Sequence, residues 1–410
     1  MTHLLLDQAA RRDRLRVIML VTGFPDATRP DNGIFNLRAA KSLNEWVDLK
    51  VIYLRAWKPG RRIVEFSNRS GIPVLTLAVP QIPSCEKVNL GVYRIAGWAY
   101  VRSLVEQCDI IHSVDLGFAG LLGSAWSRWA NVRHVTQVIT EVSSSFPRGS
   151  QSRSAVKWQN HVHAVACNSR LLASQISEVF PQVRNVRTVY RGVDLKIFHP
   201  NGSVASQLAG SSSVRFLYLG GFPSYRGLAH NSNTKGGETL IEAWRAAEAR
   251  LLSTGASLCV AGPDSDCSKV VSWRAGLKQP DGVSVVGRIS PEAVPDVIRS
   301  SDVVLIPSLQ EGLPNVAVEA AACGRAVFGS DTGGIPEVII NGDTGLILPA
   351  GNLTAWQHAL TAYASKVDEL RCMGAAARHR MEMLFNGRNY GPSMLDLYTA
   401  ALREPTRAEH

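Results

Sequence analysis

At 410 residues the chain is long for one domain and suits two. Apolar residues make up 45% and charged residues 19%, which is ordinary for a globular protein. No apolar run reaches the roughly eighteen residues that a membrane span needs, and the Leu4–Leu6 run has no cleavage site after it, so we predict neither a spanning helix nor a signal peptide. The seven cysteines contain no CxxC pair and predict small buried side chains, not a disulfide or zinc framework.

The positive charge is unevenly spread. Residues 1–200 hold 26 Lys+Arg against 14 Asp+Glu, whereas residues 201–410 hold 18 against 20. This asymmetry indicates that the first half faces something anionic. No nucleic-acid module is recognisable, and an anionic membrane surface fits better. A solvated basic surface without a specific partner is an equal alternative.

The first half of the chain alternates apolar runs with helical stretches. Val17–Val21 predicts a buried strand, and Gly33 then opens a helix over 34–43, an arrangement that contacts phosphates or sugars in doubly wound domains. A plain turn glycine is the alternative. The alternation predicts a parallel sheet covered by helices. Further strands are predicted at 49–54, 74–79, 110–114, 135–139, 162–167 and 186–190.

The 80–105 segment is rich in aromatic and basic residues, among them Tyr93, Trp98 and Arg102. It predicts an amphipathic helix that either touches a ligand or a membrane, or is an ordinary packed helix. Residues 199–213 are rich in Ser and Gly, which is typical of a linker.

The second half begins with a strand at 215–219, followed by Gly220-Gly221. A long loop containing Arg226 leads to Lys235-Gly236 and a helix over 238–251. A loop that carries cations before a helix suits a diphosphate. Strands at 258–261 and 283–286 follow, and Arg288 comes directly after the second.

Residues 301–349 contain two glycine turns and two notable carboxylates. A strand at 303–306 leads through Glu311–Asn315 to a helix over 315–323, which carries Glu319. Glycine turns that feed helix N-termini bind nucleotides, and carboxylates accept hydrogen bonds from sugar hydroxyls. A capping glutamate with a solvated helix face is the alternative, but the two together favour a binding site.

This stretch resembles the E-x7-E signature of the retaining GT-B glycosyltransferases, in particular glycosyltransferase family 4, the group 1 glycosyltransferases. The resemblance includes Pro-Ser-x-x-Glu-Gly-x-Pro at 307–314 and Gly-Gly-Ile-Pro-Glu at 333–337, and covers most of 215–350. It implies an α/β protein of GT-B fold, with two doubly wound Rossmann-like domains facing each other across a cleft. The predicted divisions are an acceptor domain at 1–198, a linker at 199–213, a nucleotide-sugar domain at 214–388, and a helix at 389–410 that crosses back to the first domain.

The resemblance also implies roles for individual residues. Glu311 would hold donor-sugar hydroxyls and Glu319 the ribose, and Lys235 would hold the diphosphate, so that Glu311 and Lys235 are the predicted catalytic residues. The family usually has arginine where this chain has Gly221. We predict that Arg226 supplies the missing positive charge. The predicted donor-binding residues are Gly33, Gly221, Arg226, Lys235, Arg288, Leu313, Pro314, Asn315, Val316 and Glu319.

The chain departs from the family pattern at two further places. Family members often carry a histidine after the strand that is predicted here at 135–139, where this chain has Thr140. Either Glu141 or a nearby serine then makes that contact, or the register differs. His161 and His163 come too late and are predicted to be structural. Arg191 replaces an asparagine in the family's turn that leaves the first domain.

We therefore expect a retaining glycosyltransferase that moves a sugar from a nucleoside diphosphate sugar to a hydroxyl of a glycan or lipid-linked acceptor, in bacterial-type surface polysaccharide or glycolipid synthesis. With no DxD-type carboxylate pair, we expect no metal and no cofactor, and we expect no nucleic-acid partner. The expected location is cytoplasmic, with peripheral contact at the inner membrane face. A GT-B epimerase or hydrolase and a catalytically weak donor-binding pseudo-enzyme are the alternatives.

Overall fold

The computed structural model describes residues 14–29, 32–82, 85–146, 153–205, 213–222 and 233–404. Contacts within the chain divide it into two units, Met1–Arg191 with Gly387–His410, and Gly192–Asn386. Each unit has its own sheet and its own buried core. The predicted pair of doubly wound α/β sheets is therefore confirmed. Among the described helices, none combines the length and the apolar composition of a membrane span.

The sheet of the first unit has the order β3-β4-β2-β1-β5-β6-β7-β8. All neighbouring strands are parallel except β3 and β4. Its central strands are buried on both faces, as the near-continuous apolar runs predict. The strands are β1 (Arg16–Val21), β2 (Asp48–Ala56), β3 (Val64–Arg69), β4 (Ile72–Val79), β5 (Ile110–Val114), β6 (Arg133–Val138), β7 (Ala164–Cys167) and β8 (Val186–Thr188).

Helices cover both faces of this sheet, and the last helix of the chain packs in the same core through Tyr390, Met394, Leu397 and Tyr398. A π-helix (Tyr93–Gly97) joins the second and third helices, and a short 3-10 helix (Gly387–Asn389) precedes the last. The helices of this unit that precede the second sheet are α1 (Ile34–Asn44), α2 (Glu86–Val92), α3 (Trp98–Val105), α4 (Phe118–Ala130), α5 (Val142–Ser145), α6 (Arg153–His161) and α7 (Arg170–Val179).

Strand β3 was not predicted, because its sequence VEFSNR is largely polar. It forms an edge hairpin with β4, and the turn residues Ser70 and Gly71 both have positive φ, at 54° and 84°. Two positive φ values in a two-residue loop match the right-handed twist of a hairpin. Phe66 on this edge strand is 74% exposed.

The aromatic 80–105 segment is mainly a packed helical segment. Tyr93 is fully buried, and Trp98 lies beside Trp126 and Trp129 at ring-centroid distances of 6.5 and 5.4 Å. Ile95 on the opposite side is 69% exposed. The packed alternative of the sequence prediction therefore describes most of this segment.

The sheet of the second unit is entirely parallel, with the order β11-β10-β9-β12-β13-β14. Strands β10 and β11 are added on one side of β9, and β12, β13 and β14 are added on its other side. The two strands at this reversal, β9 and β12, are neighbours. The strands are β9 (Arg215–Leu219), β10 (Ser257–Ala261), β11 (Val283–Gly287), β12 (Val303–Ile306), β13 (Ala326–Ser330) and β14 (Gly345–Leu348).

The longest helices of this unit pack against the sheet through an apolar stripe, in which Leu240, Trp244 and Leu251 keep the spacing of a core-facing helix. A 3-10 helix (Pro280–Gly282) precedes β11. The remaining helices, including the last one of the first unit, are α8 (Gly237–Thr254), α9 (Ser268–Ala275), α10 (Val294–Arg299), α11 (Asn315–Ala322), α12 (Ile335–Val338), α13 (Leu353–Tyr363), α14 (Val367–Leu384) and α15 (Tyr390–Arg403).

The described part of the serine-rich segment at 199–205 is held by the second unit. The buried Arg299 guanidinium donates to the carbonyl oxygens of Ser203 and His199 at 2.8 and 3.2 Å. The amide of Ala205 donates to Ser300 Oγ at 2.8 Å. Residues 206–212 of the predicted linker lie outside the described residues.

All seven cysteines are free. Burial raises the pKa of the Cys108, Cys167 and Cys323 thiols to about 12, as expected for small apolar side chains. The prediction that the cysteines are buried is wrong for Cys85 and Cys372, which are exposed.

Candidate functional site

The loops that carry the predicted residues of the second unit begin at the strand reversal. Glu311 follows β12, and Lys235 precedes helix α8, which follows β9 along the chain. Because β9 and β12 are parallel neighbours, their carboxyl ends open side by side. Open α/β sheets bind ligands outside the carboxyl ends of their strands where the strand order reverses. The topology therefore places these two loops at the expected binding edge of this sheet.

Lys235 and Glu311 form an ion pair at this edge. Lys235 Nζ lies 2.5 Å from Glu311 Oε1, and Ser308 Oγ donates to the same oxygen at 3.1 Å. The Glu311 side chain is only 9% exposed, whereas that of Lys235 is 49% exposed. The carboxylate is thus fixed and nearly buried, and the ammonium group remains accessible from solvent.

Glycine turns bring these loops into backbone contact. Gly236 has φ +68°, and a Cβ there would lie 1.6 Å from the carbonyl oxygen of Pro307. Leu309 N donates to Thr234 O at 2.8 Å, which ties the lysine loop to the glutamate loop. Only glycine combines this conformation with so close an approach. The position of Lys235 relative to Glu311 is therefore set by the backbone.

The turn after β13 meets the same loop from the other side. Gly333 has φ +59°, and a Cβ there would lie 1.9 Å from Glu311 O. Gly334 N donates to Gly312 O at 2.7 Å. The turns at Gly236 and at Gly333-Gly334 thus both contact the loop that carries Glu311.

Tyr218 near the end of β9 is a residue of this site that the sequence prediction missed. Its hydroxyl donates to Gly221 O at 3.0 Å and lies 3.4 Å from Lys235 O. Burial, together with the charge of Glu311, raises the pKa of Tyr218 far above its ordinary value, so the phenol stays protonated. Ser308 was also not assigned, although it stands inside the recognised Pro-Ser-x-x-Glu-Gly stretch. Nothing in the sequence marks Tyr218 as a site residue, because it is one of several apolar or aromatic residues in a predicted strand.

Helix α11 begins directly after the Glu311 turn, with Pro314 as its N-cap residue. Leu313 and Pro314 are buried, whereas Asn315 is exposed and Val316 half-buried. Glu319 lies on this helix and is 8% exposed, so it is not on a solvated face. The solvated-helix alternative for Glu319 is therefore wrong.

The other predicted donor-binding residues lie in several places. Gly221 follows β9, and a Cβ there would lie 3.3 Å from Pro263 O. Arg288 is exposed at the end of β11, with β10 between it and β9. Gly33 belongs to the first unit, where a Cβ would lie 2.3 Å from Gly23 O. Arg226 lies outside the described residues.

The predicted substitutes for the family histidine lie after β6. Thr140 is exposed and Glu141 is half-buried at the start of α5. Asp115, at the end of the neighbouring β5, was not predicted. It has φ +93°, and its carboxylate accepts from Gly117 N at 3.2 Å. Strained non-glycine residues of this kind cluster at functional sites.

The charge of Asp115 gives a testable pH dependence. Burial raises the pKa of Asp115, so the folded state disfavours the ionised form at neutral pH. We expect Asp115→Asn to raise the free energy of unfolding at pH 7 to 8, because asparagine tolerates the same backbone conformation and carries no charge. In the unfolded chain the pKa of an aspartate is about 3.9. Below that pH the Asp115 carboxyl is protonated in the folded and in the unfolded state, so the gain in stability should vanish. Urea unfolding across this pH range measures it.

Asp109, at the other end of the same strand, is the matched control. Burial favours its neutral form, but the hydrogen bonds and charge of Arg16 outweigh burial and lower the pKa of Asp109. Asp109→Asn should therefore lower stability at neutral pH, and that loss should shrink as the pH falls. Equal behaviour of the two variants would contradict the assignment for Asp115.

Arg191 is a buried cation of the first unit. It donates to Asn36 Oδ1 at 3.0 Å and to Gln137 Oε1 at 2.9 Å, and lies over the ring of Phe35. Burial lowers the pKa of Arg191 from a very high ordinary value, which leaves it charged. The arginine that replaces the family's asparagine therefore links α1 to β6.

Comparisons with known proteins agree with this arrangement. Residues 224–366 match the family model described as "Glycosyl transferases group 1". A curated D-inositol 3-phosphate glycosyltransferase from Saccharomonospora viridis is 26% identical over 72% of this chain and 70% of its own length. The first relatives matched, which carry the same description, are 29–34% identical, and the match spans only 25–37% of their length.

Solved structures show the fold. Sucrose-phosphate synthase from Thermosynechococcus elongatus aligns with a TM-score of 0.74 at 20% identity, over 94% of this chain and 98% of its own. Anabaena HepE, in complex with UDP and glucose, aligns with a TM-score of 0.70 at 16% identity, over 94% of this chain and 99% of its own. The GT-B fold and the resemblance to group 1 glycosyltransferases are thereby confirmed.

Proposed function

We propose that this chain, which has the GT-B fold, is a retaining glycosyltransferase. Its residues 224–366 match the family model of the group 1 glycosyltransferases. It moves a sugar from a nucleoside diphosphate sugar to an acceptor hydroxyl. The observation that carries this proposal is the ion pair of Lys235 and Glu311, at 2.5 Å, between two glycine turns at the strand reversal.

The chemistry requires the departure of a diphosphate. Negative charge grows on the leaving oxygen while positive charge grows on the sugar ring. The accessible ammonium group of Lys235 and the N-terminal amides of α11 stabilise the leaving diphosphate. The fixed carboxylate of Glu311 accepts hydrogen bonds from donor-sugar hydroxyls and stabilises the positive charge that grows on the sugar ring. Lys235 contacts Glu311, so the two groups lie together at the place where opposite charges develop.

Lys235 and the dipole of α11 are proposed to take the role that a divalent ion has in other transferases, so that no metal and no cofactor are needed. Among the described residues, no cluster of three or more His, Cys, Asp or Glu side chains is arranged to hold a metal ion. Arg226 is proposed to supply the second cation. Turnover that survives EDTA supports this proposal, and turnover that EDTA abolishes and Mg²⁺ restores contradicts it.

The donor is proposed to be a uridine diphosphate sugar, since the HepE structure is described with UDP and glucose. Glu319 is proposed to hold the ribose and Arg288 the base. The acceptor is proposed to be a glycan or lipid-linked acceptor bound by the first unit, in bacterial-type surface polysaccharide or glycolipid synthesis. The proposed location is the cytoplasm, with peripheral contact at the inner membrane face.

A thermal-shift screen of nucleoside diphosphate sugars tests the donor proposal. A ligand at about 100 times its Kd stabilises the folded state by roughly 2.7 kcal/mol, which is a shift of several degrees. We expect UDP-glucose or another UDP-sugar to give this shift, with and without EDTA, and the free monosaccharide to give none. If no nucleotide sugar stabilises the protein at millimolar concentration, the proposal is wrong.

A donor-binding protein without turnover is the second candidate, and Gly221 is the observation that favours it. The family's arginine is missing there, and even a Cβ would be tight against Pro263. Nucleotide-sugar binding without any product would establish this candidate. Product from the nucleotide sugar alone would instead indicate an epimerase or hydrolase.

A further inference from the structure

A cavity of about 470 Å³ opens at the carboxyl edge of the first unit's sheet. Thr22 follows β1, Arg55 lies near the end of β2, and Gln81 follows β4. On the other side of β1, Phe118 opens α4 after β5. The volume falls within the range of small-molecule sites, and β1 and β5 are the strands at which the order of this sheet reverses.

The cavity is strongly cationic. Four of the residues that line it are Arg29, Arg55, Lys58 and Arg61, and no acidic residue is among the lining residues of the described chain. Asp26, behind the wall, lies 3.3 Å from Arg55 Nη1 and 3.9 Å from Arg29 Nη2. This one carboxylate pairs with two of the four cations, and a surplus of positive charge remains at the cavity.

Lys58 and Arg61 hold most of that surplus. Within the ranges that the structure describes, neither has a carboxylate partner within 4.0 Å, and both are exposed. Arg29 is partly satisfied, because its Nη2 donates to Tyr53 Oη at 2.9 Å. The four cations line one cavity and repel one another, so an anion bound among them would relieve an unfavourable interaction.

The loops that carry these cations are fixed by hydrogen bonds. Trp57 N donates to Val79 O at 3.0 Å, and Trp57 Nε1 donates to Arg61 O at 2.8 Å. The amide of Arg61 donates to Lys58 O at 3.2 Å, which closes the turn. The backbone of the loop that carries Lys58 and Arg61 is therefore held by hydrogen bonds, which limits the backbone entropy that is lost when an anion binds.

The opposite wall is fixed by Asp26. Its Oδ1 accepts from the amides of Thr28 and Arg29 at 2.8 and 3.0 Å and from the Thr28 hydroxyl at 2.5 Å. Burial favours protonation of this carboxyl, but these hydrogen bonds and the charge of Arg55 outweigh it and lower the pKa of Asp26. Asp26 therefore stays ionised and keeps the wall in place.

The geometry points to a phosphate site: this cavity binds a phosphate group carried by the acceptor. The inference rests on the proposed transfer function, which assigns the acceptor to this unit. A phosphate carries up to two negative charges and three acceptor oxygens, which matches several cations that line one cavity better than the single charge of a carboxylate does. Thr22 also lines the cavity, and its hydroxyl supplies a neutral donor. The acceptor is accordingly a phosphorylated sugar or polyol, or a lipid with a phosphate headgroup.

Calorimetric titration of the full chain with inorganic phosphate and with glucose 6-phosphate tests the site, and glucose is the uncharged control. We expect both phosphates to bind and glucose not to bind. In the double variant Lys58→Gln/Arg61→Gln, phosphate affinity should fall roughly tenfold for each cation removed. The variant Arg62→Gln is the matched control, because this exposed neighbour does not line the cavity. It should bind phosphate as the wild type does.

Sedimentation with vesicles of phosphatidylglycerol, against phosphatidylcholine, distinguishes the source of the phosphate. Binding of glucose 6-phosphate without vesicle binding assigns a free phosphorylated acceptor, and vesicle binding that Lys58→Gln/Arg61→Gln removes assigns a lipid headgroup. Vesicle binding that survives this double variant, or the absence of any phosphate binding that depends on Lys58 and Arg61, overturns the inference. The UDP-sugar thermal shift is measured on the same samples, so that failure of the donor proposal is seen separately from failure of this site.

Discussion

Replacing Glu311 with glutamine or Lys235 with methionine should each lower kcat by roughly 100- to 1,000-fold, the usual cost of removing one group that stabilises transition-state charge. Both substitutions preserve the approximate size of the side chain and remove its charge. The fold should stay intact, because Lys235 is half exposed and Ser308 still contacts position 311. Initial rates with the UDP-sugar identified by thermal shift, together with melting curves of each variant, measure both effects.

Lys269 and Glu238 provide the matched control for this pair. They form another Lys–Glu ion pair of the same unit, and both side chains are exposed, by 51% and 37%. Lys269→Met and Glu238→Gln should change neither kcat nor the melting temperature appreciably, because surface ion pairs contribute about 0–1 kcal/mol. Wild-type-like turnover in Glu311→Gln would remove the basis of the proposed mechanism.

The double variant Lys235→Met/Glu311→Gln tests whether the two groups act as a unit. If both stabilise the same transition state, the combined loss should be much smaller than the product of the single losses. If the loss in kcat of the double variant equals the product of the two single losses, Lys235 and Glu311 act independently and their 2.5 Å contact does not contribute to catalysis.

Gly236→Ala is expected to destabilise the second unit by more than about 3 kcal/mol, or to displace the Lys235 loop and abolish turnover. An alanine at φ +68° costs roughly 1–2 kcal/mol by itself. The additional cost comes from the carbonyl oxygen of Pro307, 1.6 Å from the new Cβ, since a backbone atom directly after β12 cannot move aside easily. Denaturant unfolding and the rate of transfer, measured on the same preparation, show which of the two outcomes occurs.

Gly342→Ala separates the steric effect from the conformational one. Gly342 has φ +82°, but a Cβ there meets nothing within 4 Å. This variant should lose only the roughly 1–2 kcal/mol of the left-handed conformation and should keep its activity. If Gly236→Ala is no worse than Gly342→Ala, the close contact between the two loops is not a constraint on the protein.

The apolar runs predicted most strands of both sheets, because a parallel strand buried on both faces has a continuous apolar sequence. The missed strand, β3, is an exposed edge strand with little apolar signal. The helix over 34–43 and the helix over 238–251 were found to within a few residues, since their apolar spacing and flanking glycines are local features.

Only some residues of the candidate sites could be predicted from the sequence. Glu311, Lys235 and the glycine turns stood out because strand, turn and helix signals surround them. Tyr218 and Asp115 did not, because their roles depend on neighbours far away in the chain and on a backbone angle. The basic surplus of residues 1–200 was visible as a count, but its concentration at Arg29, Arg55, Lys58 and Arg61 was not.

By itself the sequence determined that this protein has two α/β units and which residue types stand at the ends of their strands. It did so because burial patterns and turn residues are properties of neighbouring positions. The tertiary structure alone decided that Lys235 meets Glu311 across 76 positions of chain and that four cations share one cavity. Those contacts depend on strand order and on the carbonyl oxygens that the glycine turns approach, and neither is encoded in a local pattern.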